Sequence, residues 1–267
     1  MEGSISDGGE MTTDFQNIIF EREEGLARIT LNHPPVNIMD ISTMREINAA
    51  LESLQGDEET RVLVFAAAGK AFCAGVDVKD HTADKVEEMV EVFHRIFRLM
   101  WSLDIPTVAA VNGAALGGGC ELVTFCDMVI ASEKATFGQP EIQVGVYPPV
   151  AVVTFPRLMP YMKAMELLLT GDIIDAREAK RLGMVNRVVP EASFEEELSS
   201  FVSKLTTLSP IVLRLTKRAT MQGLTLTFEE ALALSEELYL KELMKTEDAS
   251  EGLQAFMEKR KPVWKGK

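Results

Sequence analysis

Asn112-Gly113-Ala114-Ala115-Leu116-Gly117-Gly118-Gly119-Cys120-Glu121-Leu122 is the stretch on which the reading of this chain turns. It follows Thr107 to Val111, a short apolar run that reads as a buried strand. Consecutive glycines between a strand and an apolar run place permissive backbone at a helix start, where free N–H groups point outward. A second segment repeats the arrangement. Gly69-Lys70-Ala71-Phe72-Cys73-Ala74-Gly75-Val76-Asp77 follows the strand-like run Val62 to Ala66. One N–H from each loop can converge on a single carbonyl oxygen, forming an oxyanion hole made of backbone. Tight turns and close packing would also use these glycines. Glycines running into a helix that carries a glutamate in its first turn favour the anion-binding reading.

Glu121 has Cys120, Leu122, Val123, Phe125 and Cys126 around it, so its helix reads as mostly buried. A first-turn glutamate on a solvated face is a dipole partner. On a buried helix a carboxylate points to chemistry. Further on comes Phe137-Gly138-Gln139-Pro140-Glu141, with a second carboxylate that alone would read as structural. Two carboxylates in mostly uncharged surroundings suit acid/base work on a carbonyl compound: one activates water, the other delivers or removes the proton on carbon.

Outward from these segments the chain alternates strands and helices. Leu26 to Leu31 and Met128 to Ala131 read as further strands. Ile41, Met44, Ile47, Leu51 and Leu54 form one helical stripe. Val86, Met89, Val90, Phe93, Ile96, Phe97 and Met100 form a longer one after Thr82. This βαβ-like order predicts an α/β fold. The last third reads as helical. Asp175 with Glu178, Ser193 with Glu196 and Thr227 with Glu230 resemble capping boxes. The expected organisation is a loose acidic tail over 1–14, an α/β catalytic core over 15–194 and a helical region over 195–267.

The 267 residues carry a net charge of −14, which argues against a broad basic face for nucleic acid. A small anionic ligand remains compatible, held by local lysines and backbone dipoles. The uncharged stretches are broken by proline and glycine and fall short of the roughly 20 apolar residues of a membrane span. The three cysteines suit reduced thiols in a cytoplasmic protein, and the tail lacks the pattern of a secretory signal. Met11 and Met1 both stand as natural starts. The three histidines, His33, His81 and His94, have no partner at metal-ligand spacing, so no metal is expected. Neither G-x-S-x-G, nor G-x-G-x-x-G, nor a P-loop occurs.

The combination of F-C-A-G-V-D, N-G-A-A-L-G-G-G-C-E-L, F-G-Q-P-E-I and L-T-G-D-I-I-D-A-R-E-A-K-R-L-G-M-V-N resembles the enoyl-CoA hydratase/isomerase (crotonase) family. The resemblance runs from about Phe15 to Lys265. It implies a spiral of ββα units followed by a helical C-terminal region that forms trimers or dimers of trimers. It implies an acyl-CoA substrate and no separate cofactor, coenzyme A being part of the substrate. By motif position, Val76 and Gly118 become the two amide donors to the thioester oxygen, and Glu121 and Glu141 the two hydratase glutamates. Ala74, Gly75, Asp77 and Gly117 fall beside the thioester, and Tyr147 and Pro148 in the acyl pocket. Lys70 and Trp264 are candidates for contacting the coenzyme A phosphates or adenine, against solvated or packed alternatives. Asp77 and Asp127 also read as turn or ion-pair residues, and His81 as a solvated residue at the mouth.

The chain departs from the common hydratase pattern after Glu141. There the glycine loop is replaced by Gly145-Val146-Tyr147-Pro148-Pro149-Val150-Ala151-Val152. That run, with Ala74 to His81, resembles the branch that hydrates cyclic dienoyl-CoA thioesters. The alternatives are a linear enoyl-CoA hydratase, a double-bond isomerase or C–C hydrolase, and a non-catalytic acyl-CoA-binding protein.

Overall fold

A computed structural model describes residues 15–267, so the tail expected over 1–14 lies outside the described residues. The chain opens with an antiparallel pair, β1 (Ile18–Glu23) and β2 (Leu26–Leu31), turning at Gly25 with φ 76°. Then follow α1 (Ile41–Glu52), β3 (Val62–Ala67), α2 (Val86–Ser102), β4 (Thr107–Val111), β5 (Ala114–Leu116) and α3 (Gly118–Phe125). Next come β6 (Met128–Ser132), β7 (Thr136–Gly138), α4 (Ala151–Leu158), α5 (Tyr161–Thr170), β8 (Ile173–Asp175), α6 (Ala176–Arg181) and β9 (Arg187–Val189). Four helices close the chain: α7 (Phe194–Thr206), α8 (Pro210–Gly223), α9 (Phe228–Lys241) and α10 (Glu247–Glu258).

The larger sheet has the order β1-β2-β3-β4-β6-β9, parallel from β2 onward; the smaller has the order β5-β7-β8. Successive turns of the chain place one strand in each sheet and then a helix. β4, β5 and α3 make one such ββα turn, and β6 and β7 begin the next. In the earlier turns the second strand shrinks to single bridges, Met39 with Val76 and Cys73 with Ala115. This is the ββα spiral that the motifs imply.

The central strands are covered on both faces, which is why β3 and β4 read as unbroken apolar runs rather than alternating ones. On one face Ile29, Leu63 and Phe65 pack with Ile47, Leu51, Ile96 and Phe97. On the other, Val62, Val64, Val108 and Ile130 pack with Phe194, Leu198 and Val202 of α7. α8 docks where the strands begin. Arg214 donates to the carbonyls of Asp57 and Thr60, and Lys217 to that of Ile105 at 2.9 Å. Lys217 also pairs with Asp127 at 2.8 Å, which makes Asp127 an ion-pair residue. The strand C-terminal ends are thereby left to the glycine loops.

Beyond the two helical stripes expected in the core, α3 to α6 also lie within the core segment. Of the three expected capping boxes, one forms completely: Thr227 and Glu230 bond reciprocally at the start of α9. Asp175 accepts the Glu178 N–H at 2.8 Å, but the Glu178 carboxylate turns to Arg181 instead. Ser193 does not cap α7. It ends a 3-10 turn with φ −111° and ψ 12°, outside the extended conformation a capping side chain needs. Among the described residues, no helix is long and apolar enough to cross a membrane.

Candidate active site

The two glycine loops meet because the backbone of each is tied to the other's supports. Leu116 N–H donates to the Cys73 carbonyl at 2.9 Å, and Gly117 N–H to the Gly138 carbonyl at 2.9 Å. Met39 N–H donates to Gly75, and Asp77 N–H to Met39. These last two bonds flank Val76 and leave its own N–H turned away from the bridge. Gly118 is the first residue of α3, where an amide has no partner within the helix. Neither the Val76 nor the Gly118 N–H donates to an acceptor among the described residues. The loops are in contact: a Cβ at Gly118 would stand 2.8 Å from Val76 Cγ2, and one at Gly75 would stand 3.8 Å from the Gly118 nitrogen. Two free amides from two loops therefore lie side by side, one of them at a helix N-terminus.

Gly117 has φ 50°, and a Cβ there would sit 2.6 Å from Glu141 Oε1. Glycine is required at this position because the carboxylate occupies the space a side chain would take. Glu141 therefore stands directly over the Gly117-Gly118 loop. Gln139 is fully buried beside it. With its amide assigned from the hydrogen-bond pattern, its NH2 donates to Glu141 Oε1 at 3.2 Å and Oε2 at 3.1 Å. Burial raises the Glu141 pKa from the ordinary carboxylate range, while its own N–H and the His81 charge pull it back.

Glu121 is 2% exposed. Its Oε1 accepts the N–H groups of Val150 at 2.7 Å and Ala151 at 2.8 Å, at the start of α4. One oxygen is thereby fixed, and the other has no hydrogen-bond partner among the described residues. Burial pushes its pKa up to about 7, with the nearby Glu141 charge adding to the rise and the two N–H groups opposing it. Burial thus keeps this carboxyl protonated to higher pH than an ordinary carboxylate, the direction in which a proton-transfer group is tuned.

The remaining expected site residues divide. Ala74 and Gly75 lie in the loop that carries the free Val76 amide, with the Ala74 N–H bound to the Val36 carbonyl. The Asp77 side chain accepts the Lys79 N–H at 3.0 Å and so holds a turn, the plainer of its two readings. Pro148 is buried and Tyr147 is 66% exposed, both in the segment that leads to the Glu121 anchor. Lys70 is exposed in an outer groove of about 600 Å³ that it shares with Asn112, Lys134 and Glu191. Trp264 is not brought to the loops within one chain. Its indole N–H donates to the Thr207 carbonyl at 2.9 Å, ahead of α8 and at the other end of the strands. Cys73 and Cys120 are buried, and burial pushes the Cys73 thiol up to about 12 and the Cys120 thiol higher still. Among the described residues, no His, Cys, Asp and Glu group has a metal-holding arrangement.

Sequence reasoning assigned no role to Gln139 or to the Val150 and Ala151 amides. Gln139 lay in plain view two residues before Glu141, and its direction carried no signal. Gln139→Met removes a donor to a charged group, a bond of about 1.5 kcal/mol. The expected result is a kcat/KM about tenfold lower at neutral pH, measured against the parent enzyme once equal thermal stability of the two has been established.

Fold and site bring together two free backbone amides from two glycine loops and two carboxyl groups, Glu121 and Glu141, in mostly uncharged surroundings. The sequence profile described as enoyl-CoA hydratase/isomerase matches residues 21–267. A probable enoyl-CoA hydratase of Rhizobium meliloti is 38% identical over 94% of this chain and 98% of its own length. A crotonyl-CoA hydratase of Syntrophomonas wolfei is 35% identical over 92% of this chain and 97% of its own. The crystal structure of enoyl-CoA hydratase from Bacillus anthracis superposes with a TM-score of 0.90 at 34% identity, over 94% of this chain and all of that one. The chain belongs to the enoyl-CoA hydratase/isomerase family, as an enzyme of the enoyl-CoA hydratase type.

Proposed function

We propose that this enzyme adds water across the double bond of an α,β-unsaturated acyl-CoA thioester. The observation that carries the reading is Glu141 standing over the Gly117-Gly118 loop with Glu121 buried on the helix that this loop begins. The thioester oxygen accepts the Val76 and Gly118 amides. A water lies between the two carboxyl groups. One, ionised, takes a proton from the water as its oxygen bonds to the β-carbon. Negative charge moves to the thioester oxygen, where the two amides stabilise it. The other, protonated, gives its proton to the α-carbon. The pair ends one proton transfer from where it began, with no net proton gained or lost. Coenzyme A enters as part of the substrate and no further cofactor takes part. An isomerase needs one such group and a binding protein neither, so the pair favours hydration.

The finer reading is a cyclic dienoyl acyl group. The Tyr147-Pro148-Pro149-Val150 segment supports it, placing a buried proline and bulky side chains next to the Glu121 anchor. The competing reading is a linear acyl group, suggested by relatives named crotonyl-CoA and short-chain-enoyl-CoA hydratase. A panel of linear and cyclic enoyl-CoA thioesters, followed by loss of the conjugated chromophore, separates them. The expected result is about a tenfold or greater preference in kcat/KM for the cyclic dienoyl ester, the scale on which pocket shape discriminates. A preference for a linear ester overturns the finer reading alone. Absence of chromophore loss with every ester overturns hydration.

We also propose a trimer or a dimer of trimers, acting in the cytoplasm. Met162 on α5, Phe228 on α9 and Phe256 on α10 are each more than 80% exposed in the single chain, which supports burial between copies. Solution mass measurement tests the assembly.

A further inference from the structure

Asn37 is buried, 3% exposed, in the segment that leads from β2 to α1. Its backbone has φ 55°, a left-handed conformation that asparagine enters more readily than most side chains. Among the described residues, the other non-glycine residue with positive φ is Lys259, which ends α10. Asn37 lies at no helix end. Backbone of this kind persists where the surrounding structure over-determines it.

The side chain shows what does so. Its NH2 donates to the Ala68 carbonyl at 2.8 Å and to the Ala71 carbonyl at 2.9 Å. Its oxygen accepts the His33 N–H at 2.9 Å. These partners fix which way the amide faces. Ala68 and Ala71 bracket the turn at Gly69, φ 79°, through which β3 passes into the Val76 loop. Asn112 of the second glycine loop holds the same turn, donating to the Ala67 carbonyl at 3.1 Å and to that of Gly69 at 2.9 Å. The neighbours of Asn37 carry the loop itself. The Ala74 N–H donates to the Val36 carbonyl at 3.0 Å. Met39 donates to Gly75 at 2.9 Å and accepts from Asp77 at 3.1 Å, on either side of Val76. One short segment thus reaches the turn with a side chain and the loop with its backbone.

We propose that Asn37 is a positioning residue of the oxyanion hole, clasping the turn from which the Val76 amide is presented to the thioester oxygen. It touches neither the substrate nor the reacting atoms and acts through the backbone from Ala68 to Val76. This inference rests on the reading of Val76 and Gly118 as the donors to that oxygen.

The test uses Asn37→Gly and Asn37→Asp in the full-length enzyme. Glycine keeps the left-handed backbone and removes the side chain. Aspartate keeps the volume and the acceptor for His33 and loses both donors, so it carries the measurement if the glycine variant does not fold. Two quantities are measured: turnover of the enoyl-CoA that the parent hydrates, and the infrared stretch of the thioester carbonyl in bound butyryl-CoA and cyclohexanecarbonyl-CoA, isotopically labelled at that carbonyl. Both esters are saturated and undergo no hydration. In the parent, the two amides lower the carbonyl frequency below that of the free ester. Each variant is expected to lose most of that displacement. Its kcat is expected to fall about 10²-fold, the cost of misplacing a positioned group by about an ångström, with a smaller change in KM. A variant that retains the full displacement overturns the proposal whatever its kcat, because Asn37 then supports the fold without setting the donor. Unchanged kcat in both variants overturns it too. A parent carbonyl that keeps the free-ester frequency with both esters would instead overturn the reading of the two amides as donors.

Discussion

Glu121→Gln is expected to lower the hydration rate by about 10²–10⁴-fold, the range supplied by a positioned acid or base. The substitution leaves the fold's demands on this side chain intact. The carbonyl oxygen of the substituted side chain still accepts the Val150 and Ala151 amides that bind Glu121 Oε1, at 2.7 and 2.8 Å in the parent. What is lost is the second oxygen, replaced by an NH2 that takes no proton from water. Glu141→Gln is expected to be as severe, since this carboxyl lies over Gly117 with no other acid in its place. In both variants the Val76 and Gly118 amides remain, so thioester binding survives. Chromophore loss measures the first quantity, and titration with a hydroxyacyl-CoA product the second. Near-normal turnover in either variant would refute the two-carboxylate mechanism.

Gly118→Pro removes one of the two proposed oxyanion donors. The loss of one such donor costs about 10²–10³ in kcat, or roughly 2.7–4 kcal/mol of barrier. Backbone conformation does not forbid the change, because Gly118 opens α3, where proline is well tolerated. Side-chain space is the difficulty. A Cβ at this position would lie 2.8 Å from Val76 Cγ2 and 3.0 Å from Phe93 Cζ. Gly118→Ala meets the same neighbours and keeps the N–H. The proline variant is therefore expected to be slower than the alanine variant by that factor of about 10²–10³, with circular dichroism and assembly size matched between them. Equal rates in the two would show that the Gly118 amide does not hold the thioester oxygen.

Much of the fold was legible because its signals are local. β3 and β4 announced themselves as unbroken apolar runs, since both faces of those strands are covered. α1 and α2 showed helical stripes, since each buries one face. β5, β7, β8 and β9 are three residues each, too short for a period to register. They owe their pairing to neighbours brought up by the spiral. β1 was missed for a related reason: it sits at the sheet edge, with only Ile18 buried. Ser193 carried the letters of a capping box, but a preceding turn set its backbone differently.

The amino-acid sequence alone determined the parts of the site whose chemistry is written in single residues: glycines that free two amides and glutamates on uncharged segments. It also carried the family, through motifs specific in combination. Only the tertiary structure decided how those parts work together. It set Glu141 in the space Gly117 leaves open, turned the buried Gln139 onto it, and bound Glu121 to the first amides after two prolines. It also left Trp264 at the other end of the strands, and tied His81 to the Asp77 carbonyl beside Val76. The physical reason is that a hydrogen bond or a charge acts over a few ångströms of space, whatever the separation along the chain. Glu121 Oε1 and the Val150 and Ala151 amides that anchor it stand far apart in sequence, yet only 2.7 and 2.8 Å apart in the fold.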